Sequence, residues 1–258
     1  MEANFSSISK LGASAVHRIC SGQVVTDLRT AVKELVENAL DAGATSVEIV
    51  LVDDGVTSIE VKDNGSGIAA ADFATTCRKH CTSKLASFGD LARVDSFGFR
   101  GEALSSLCAL ASSVTITTRH VDAKAGAAVT YNRAGAVATQ TVVGRPVGTT
   151  VEICGLFKPL PVRHRQFKQK IASQFARLLA TLQAYAIVHT GVRISCRNRK
   201  KGRTTTCLQT QSSKRMEENI AAVFSSKFLS GLVRVDIEVP LDSGDLAYLS
   251  KVARAEFS

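Results

Sequence analysis

Glu34 and Asn38 stand four residues apart in a segment whose apolar positions lie on another side. From Thr30 to Asp41 the residues Ala31, Val32, Leu35, Val36, Ala39 and Leu40 recur at helical spacing, so Glu34 and Asn38 point the same way from the polar face. A carboxylate there can orient and deprotonate a water attacking a phosphoryl group. A neutral amide oxygen one turn along can ligate magnesium, an ion that keeps several waters and takes few protein ligands. Alone, the pair fits any solvated helix face. Asp63-Asn64-Gly65-Ser66-Gly67 narrows the choice. An Asp carboxylate accepts from the exocyclic amine of adenine and repels the oxygen of guanine, and the glycines allow close backbone approach. Asn-Gly also favours a hairpin turn, but Ile68-Ala69-Ala70-Ala71 reads as helical where a second strand would have to begin. In Gly98-Phe99-Arg100-Gly101-Glu102-Ala103-Leu104, two glycines bracket a loop entering a helix, whose amides can cradle phosphates. In Gly148-Thr149-Thr150-Val151, the Thr149 hydroxyl entering a strand can support Asp63 through a water. Each element is ambiguous singly; in this order they describe a nucleotide site.

The elements that must hold these residues follow from periodicity. Ala42-Gly43-Ala44 ends the first helix. Val47, Ile49 and Leu51 alternate, Asp53-Asp54-Gly55 turns the chain, and Ile59 and Val61 return, which predicts a β-hairpin. A short helix is expected from about Ala70 to Lys79, and a second from Glu102 to Ala111. The polar, glycine-punctuated stretch from Thr82 to Gly101 is a candidate lid. Four β-like runs follow, around 113–119, 127–132, 136–143 and 148–153. Beyond Pro159 and Pro161 the pattern predicts one long amphipathic helix with Phe167, Ile171, Phe175, Leu178 and Leu182 on its core face. Val192 to Cys196 and Thr204 to Leu208 read as strands joined by a loop from Arg197 to Arg203. Gln209 to Lys214 is a polar joint, after which a helix and a strand from Leu232 to Val239 begin a further unit.

The net charge of +9 is unevenly spread. Between Glu152 and Glu217 there is no Asp or Glu, while that stretch holds fourteen Lys and Arg. Such a block suits either a polyanion or a solvated basic face. Arg163, Arg165, Lys168, Arg197, Arg199, Lys200, Lys201 and Arg203 are the candidate contacts to a DNA backbone, with Lys170 and Arg177 near the same spacing. The scarcity of aromatics among them speaks against stacking on single-stranded bases. Seven scattered cysteines argue for a reducing compartment rather than a disulfide framework. Cys77, His80 and Cys81 form a soft-ligand group without a second ligand pair at zinc-site distance. No apolar run approaches the roughly 20 residues of a membrane helix, and no secretory signal is evident at the start.

Val32-Lys33-Glu34-Leu35-Val36-Glu37-Asn38 with Leu40-Asp41-Ala42-Gly43-Ala44, then Asp63 to Gly67, Thr82-Ser83-Lys84 and Gly98 to Leu104, resemble the motifs of the MutL mismatch-repair ATPases, in family order. The resemblance runs from about Gly12 to Val239, and the form of Gly98 to Leu104 separates MutL from its gyrase and chaperone relatives. The runs His17 to Val25 and Leu160-Pro161-Val162-Arg163-His164 resemble the eukaryotic post-meiotic-segregation type.

The resemblance implies an α+β fold, a two-layer Bergerat-type sandwich with a mixed, mostly antiparallel sheet, over residues 1–212, with residues 213–258 beginning a second α/β domain. It implies ATP and Mg2+ as ligands, Glu34 as general base, Asn38 as magnesium ligand and Asp63 as adenine reader. Gly67, Lys84, Gly98, Phe99, Arg100, Gly101, Glu102, Ala103, Leu104 and Thr149 would complete the ATP site, with Lys84 in a lid that ATP orders. Family partners would be DNA held by its backbone, a second MutL homologue in a heterodimer and a MutS-type mismatch-recognition complex, in the nucleus and without a membrane. The lysine that the family's second domain gives to the γ-phosphate has no assigned counterpart here, and the resemblance implies that the family's C-terminal dimerisation and endonuclease region would lie outside these 258 residues. The rival reading is a non-catalytic DNA-binding scaffold that keeps the ATPase fold.

Overall fold

A computed structural model of the chain describes residues 12–82, 97–98, 101–233 and 235. Among them eight strands form one sheet: β1 (Ser46–Val52), β2 (Ser58–Asp63), β3 (Ser113–Arg119), β4 (Gly126–Tyr131), β5 (Val137–Val143), β6 (Gly148–Cys154), β7 (Arg193–Lys200) and β8 (Arg203–Gln209). Their order is β5-β4-β3-β6-β2-β1-β7-β8, and every neighbouring pair is antiparallel except β1 and β7. The register aligns Val129, Ile116, Val151, Val61, Ile49, Cys196 and Leu208 in one row across seven strands. On the opposite face the matching row is Ala128, Thr117, Thr150, Lys62, Glu48 and Ser195. A slip of one residue would send each apolar side chain to the wrong face, so alternation in the sequence specifies the pairing.

The helices are α1 (Ala13–Val24), α2 (Leu28–Asp41), α3 (Ala103–Leu110), α4 (Pro161–Gln169), α5 (Ile171–Val188), α6 (Met216–Phe224) and α7 (Ser226–Leu229). Val32, Leu35 and Val36 of α2, Leu107 and Leu110 of α3, and Leu178 and Leu182 of α5 share one core with the apolar row of the sheet. The result is a two-layer α+β sandwich with a mixed, mostly antiparallel sheet.

Three sequence expectations change, and α1 forms over Ala13–Val24, where the sequence reading placed no element. From Ala70 to Lys79 the chain makes a 3-10 turn, Ala70–Asp72, and then further turns rather than a helix. The hydroxyls of Thr75 and Thr76 both donate to the Asp72 carbonyl, at 3.0 and 2.7 Å, a local alternative to helical pairing. The long helix is two, broken at Lys170 (φ −101°, ψ 10°), and α4 turns Phe167 edge-on to Phe157. Arg197 to Lys200 belong to β7, and the connection to β8 is the two-residue turn Lys201-Gly202 with φ of +49° and +75°. The strand expected from Leu232 to Val239 falls largely outside the described residues.

By length and composition α5 does approach a membrane span, with 18 residues and a mean hydropathy of 1.2. Here Leu178, Leu182 and Ala186 pack into the core instead, and Gln174 accepts from the Leu28 amide at the head of α2.

Candidate nucleotide-binding site

The site is built outward from α2. Asp27 caps its start, accepting from the Thr30 amide at 2.7 Å and the Thr30 hydroxyl at 2.8 Å. At the other end Gly43 takes φ +72° and turns the chain toward β1. The Asp63 turn lies against this end: Ser66 donates its amide to the Ala42 carbonyl at 3.0 Å, and a Cβ on Gly65 would come within 2.7 Å of that oxygen. Asn64 fastens the same corner, accepting from the Thr45 and Ser46 amides at 2.9 and 2.8 Å and donating to the Thr45 hydroxyl. At 1.5 Å per residue, Asn38 sits about 6 Å and Glu34 about 12 Å back along the axis from Ala42. Both are partly exposed. The order back along α2 from its C-terminal end is therefore the Asp63 turn packed against that end, then the Asn38 amide, then the Glu34 carboxylate.

Asp63 ends β2, with Oδ1 accepting from the Gly65 amide at 2.8 Å and the Thr149 amide at 3.1 Å. Burial pushes its carboxyl above the usual carboxylate range, while the two amides and the Arg145 guanidinium pull the other way. Besides the Thr149 hydroxyl singled out in the sequence, the Thr149 amide links to Asp63 directly. That hydroxyl meets Thr118 at 3.1 Å, and the Thr118 hydroxyl oxygen accepts from the Ile68 amide at 2.9 Å. Gly67 (φ +75°) and Gly148 (φ +124°) leave no room for a side chain: a Cβ would lie 2.1 Å from the Arg119 carbonyl oxygen in the first case and 2.2 Å from that of Asp63 in the second. These contacts close the corner between β2, β3 and β6 around one acceptor.

The second half of the candidate site is assembled from α2 and α3. The Asp41 carboxylate accepts from the Phe97 and Gly98 amides at 3.0 and 3.2 Å, anchoring the loop to the end of α2. Gly101 (φ +59°) packs so closely on Cys81 that a Cβ would lie 2.4 Å from its carbonyl oxygen, and its own carbonyl accepts from the His80 amide. Glu102 precedes α3 but turns its side chain to Lys79 at 3.4 Å and His80 at 3.7 Å, and it makes no capping hydrogen bond to α3. The first amides of α3, at Ala103 and Leu104, are thereby positioned to meet an anion. Lys84, Phe99 and Arg100 lie outside the described residues, as does most of the candidate lid.

Among the described residues no three His, Cys, Asp or Glu side chains gather to hold a metal ion. Cys77 is buried against Cys108, whereas His80 and Cys81 are exposed. A single neutral oxygen on Asn38 beside an anion cradle fits magnesium, which arrives with phosphate and water ligands.

The basic candidates divide. The Arg163 Nη2 donates to the carbonyls of Gly22, Val25 and Thr26 at 3.1, 2.8 and 3.1 Å, and its guanidinium lies 4.2 Å from the Phe157 ring centroid, so it holds the end of α1. Arg197 pairs with Glu48, and Lys200 donates to buried Asp54 at 2.6 Å. Arg165, Lys168, Arg199, Lys201 and Arg203 are exposed. Four groups escaped the sequence reading. Asp41 and Asn64 sat inside motifs already noted, whereas Thr118 and Arg145 carry no local signal and are recognised only by where β3 and the β5–β6 connection bring them.

A family model described as histidine kinase-, DNA gyrase B-, and HSP90-like ATPase matches residues 25–150, which contain Glu34, Asn38, Asp63, Gly101 and Thr149. The human mismatch repair endonuclease PMS2 is 47% identical over 237 residues, 92% of this chain and 27% of that protein, so the chain spans about a quarter of this relative's length. A crystal structure of the N-terminal domain of a DNA repair protein matches with a TM-score of 0.77 and 39% identity, over 86% of this chain and 64% of that one. The Aquifex aeolicus MutL ATPase domain complexed with ADP matches with a TM-score of 0.59 and 31% identity, over 78% of this chain and 70% of that one. With its motifs in order on this sandwich, the chain belongs to the MutL family of mismatch-repair proteins and carries the family's ATPase domain.

Proposed function

We propose that this domain binds Mg–ATP with adenine at Asp63 and hydrolyses it with Glu34 as general base. The observation that carries the reading is the order of groups along α2, running from the half-buried Asp63 acceptor packed against its C-terminal end through Asn38 to Glu34. Asp63 accepts a hydrogen bond from the exocyclic amine of adenine, and Gly67 and Gly148, packed against the backbone of Arg119 and Asp63, hold the corner that presents it. The amides that begin α3 bind phosphate oxygens, and Asp41 holds the approach to that loop in place. Asn38 would hold the magnesium, which when bound neutralises phosphate charge. Glu34 orients the attacking water and takes its proton. The ADP complex of the Aquifex MutL ATPase domain supports the nucleotide reading.

On the same reading, bound ATP orders the lid that includes Lys84, brings two N-terminal regions together and closes them on DNA. The partners are a second MutL homologue, a MutS-type complex and a DNA backbone contacted by Arg165, Lys168, Arg199, Lys201 and Arg203, in the nucleus. The test is nucleotide binding by calorimetry beside turnover. Glu34→Ala keeps affinity and loses at least about a hundredfold in rate, whereas Asn38→Ala loses Mg–ATP affinity. Turnover by Glu34→Ala at the wild-type rate would overturn the assignment of the base.

A further inference from the structure

Thr118 stands at the Asp63 corner, 1% exposed, on a strand that carries no motif. The pairing of β3 with β6 sets it opposite Thr149, with Arg119 opposite Gly148. Its hydroxyl meets three groups. The Ile68 amide donates to it at 2.9 Å, the Gly148 carbonyl oxygen lies 3.1 Å away, and so does the Thr149 hydroxyl. A hydroxyl has one proton and two lone pairs, and a carbonyl can only accept. One assignment uses all three contacts: Thr118 donates to Gly148 and accepts from both Ile68 and Thr149. The Thr149 proton is then directed at Thr118. Its oxygen is left as an acceptor beside Asp63, whose Oδ1 takes the Thr149 amide at 3.1 Å.

We propose that Thr118 is a positioning residue for base specificity, holding the Thr149 hydroxyl as an acceptor so that the Asp63 corner offers a purine no hydroxyl donor. The proposal rests on the reading of Asp63 as the adenine contact. At its 6-position adenine carries an amine, which donates, whereas guanine carries an oxygen, which accepts. A Thr149 hydroxyl able to turn would donate to that oxygen and offset part of its repulsion from Asp63. Turning it away from Thr118 strips a buried oxygen of one partner, so guanine gains little from the exchange. The same Thr118 oxygen ties down the turn that follows Asp63. Ile68 comes directly after Gly67, whose φ of +75° and close approach to the Arg119 carbonyl leave no room for a side chain. One hydroxyl thus reaches both sides of the corner, Gly67-Ile68 on β2's side and Gly148-Thr149 on β6.

Valine keeps the shape of threonine and loses the hydroxyl, whereas serine keeps the hydroxyl. Binding of ATP, GTP and inorganic tripolyphosphate is measured by calorimetry on the 258-residue chain, Thr118→Val and Thr118→Ser. In Thr118→Val the Thr149 hydroxyl is released, so ATP affinity falls roughly tenfold while GTP affinity stays level or rises. The preference for ATP over GTP therefore drops by about tenfold or more. Tripolyphosphate, which carries no base, binds Thr118→Val and the parent chain alike, and Thr118→Ser keeps the parent preference. Equal losses of ATP and GTP in Thr118→Val would make the residue a support for the fold, and that result, like an unchanged preference, overturns the proposal. Should Thr118→Val fail to fold, neutron diffraction from deuterated crystals of the parent chain decides. Deuterium on Thr149 directed at Thr118, with that on Thr118 directed at Gly148, sustains the proposal; deuterium on Thr118 directed at Thr149 overturns it. Asp63→Asn separates the two failures. If it binds ATP as tightly as the parent chain, the reading of Asp63 falls, whereas a loss there with an unchanged preference in Thr118→Val sinks this proposal alone.

Discussion

Asp63 shows how one side chain can be tuned against the fold that holds it. Burial lifts its carboxyl above the ordinary carboxylate value near 3.8, so the folded chain binds that proton more tightly than the unfolded chain does. Stability therefore falls as pH rises from the unfolded value through the folded one, and the cost is fully present above both. Adenine bound at Asp63 as proposed would ask for the opposite, because only the ionised oxygen accepts from an exocyclic amine at full strength. On that proposal, lowering the pH through the raised value weakens nucleotide binding while relieving the fold. Calorimetry at a series of pH values, beside thermal melts, should show affinity and stability moving in opposite senses across that window. Asp63→Asn should bind ATP roughly tenfold or more weakly at neutral pH, and should lose both pH dependences. An unchanged stability profile in Asp63→Asn would remove this carboxyl as their source.

Arg163 belongs to the scale of elements, because its side chain joins α4 to the end of α1. Two stretches far apart in sequence, His17 to Val25 and Leu160 to His164, prove to be halves of one contact. Gly22 is part of it: a Cβ there would come within 2.6 Å of the Arg163 guanidinium. From α1 the connection runs to the head of α3, where His17 Nε2 meets the Ser105 hydroxyl at 3.2 Å. Arg163→Ala should cost about 2 kcal/mol from its three carbonyl bonds, or roughly 4–8 °C of melting temperature at this chain length. Arg163→Lys should recover little, since an ammonium cannot fill the planar fork's place on the ring. Thermal melts check both, and a wild-type melt for Arg163→Ala would return the residue to the basic surface. Such joints also mark what a sequence can convey. The sheet was legible because its strands alternate, and the places of Glu34, Asn38 and Asp63 at the end of β2 and along α2 were legible because each sits in a local motif. Ala13–Val24 was not, having no side-chain cap to mark its start. The break at Lys170 was not either, because the residues on both sides form helix readily and only the meeting of Phe167 with Phe157 calls for the turn.

For the whole molecule, the question is whether one run of positive charge in the chain is one surface in space. It is not. Phe167 roots α4 in the core on the helix side of the sheet, where Arg165 and Lys168 are exposed. On β7 the buried residues Ile194, Cys196 and Asn198 alternate with Arg197 and Arg199, which therefore face away from the helices. Lys201 and Arg203 extend that second patch around the hairpin turn. Arg197 and Lys200 are each paired with a carboxylate of the chain and the Arg163 guanidinium is turned onto backbone carbonyls, so the uncommitted charge available to a polyanion is smaller than the sequence suggests. If DNA lies on either patch, each phosphate contact contributes close to one unit to the slope of log affinity against log salt. Reversing Arg165 and Lys168 together should flatten the slope by about two if α4 makes the contact. The paired reversal of Arg199 and Lys201 asks the same of the hairpin. Fluorescence anisotropy with a duplex of arbitrary sequence across a salt series reads both. Arg163→Ala, whose charge is already engaged, should leave the slope unchanged even as it lowers the melting temperature. A patch whose double reversal leaves the slope where it was has no phosphate on it, because the release of condensed counterions does not depend on how the rest of the complex is arranged.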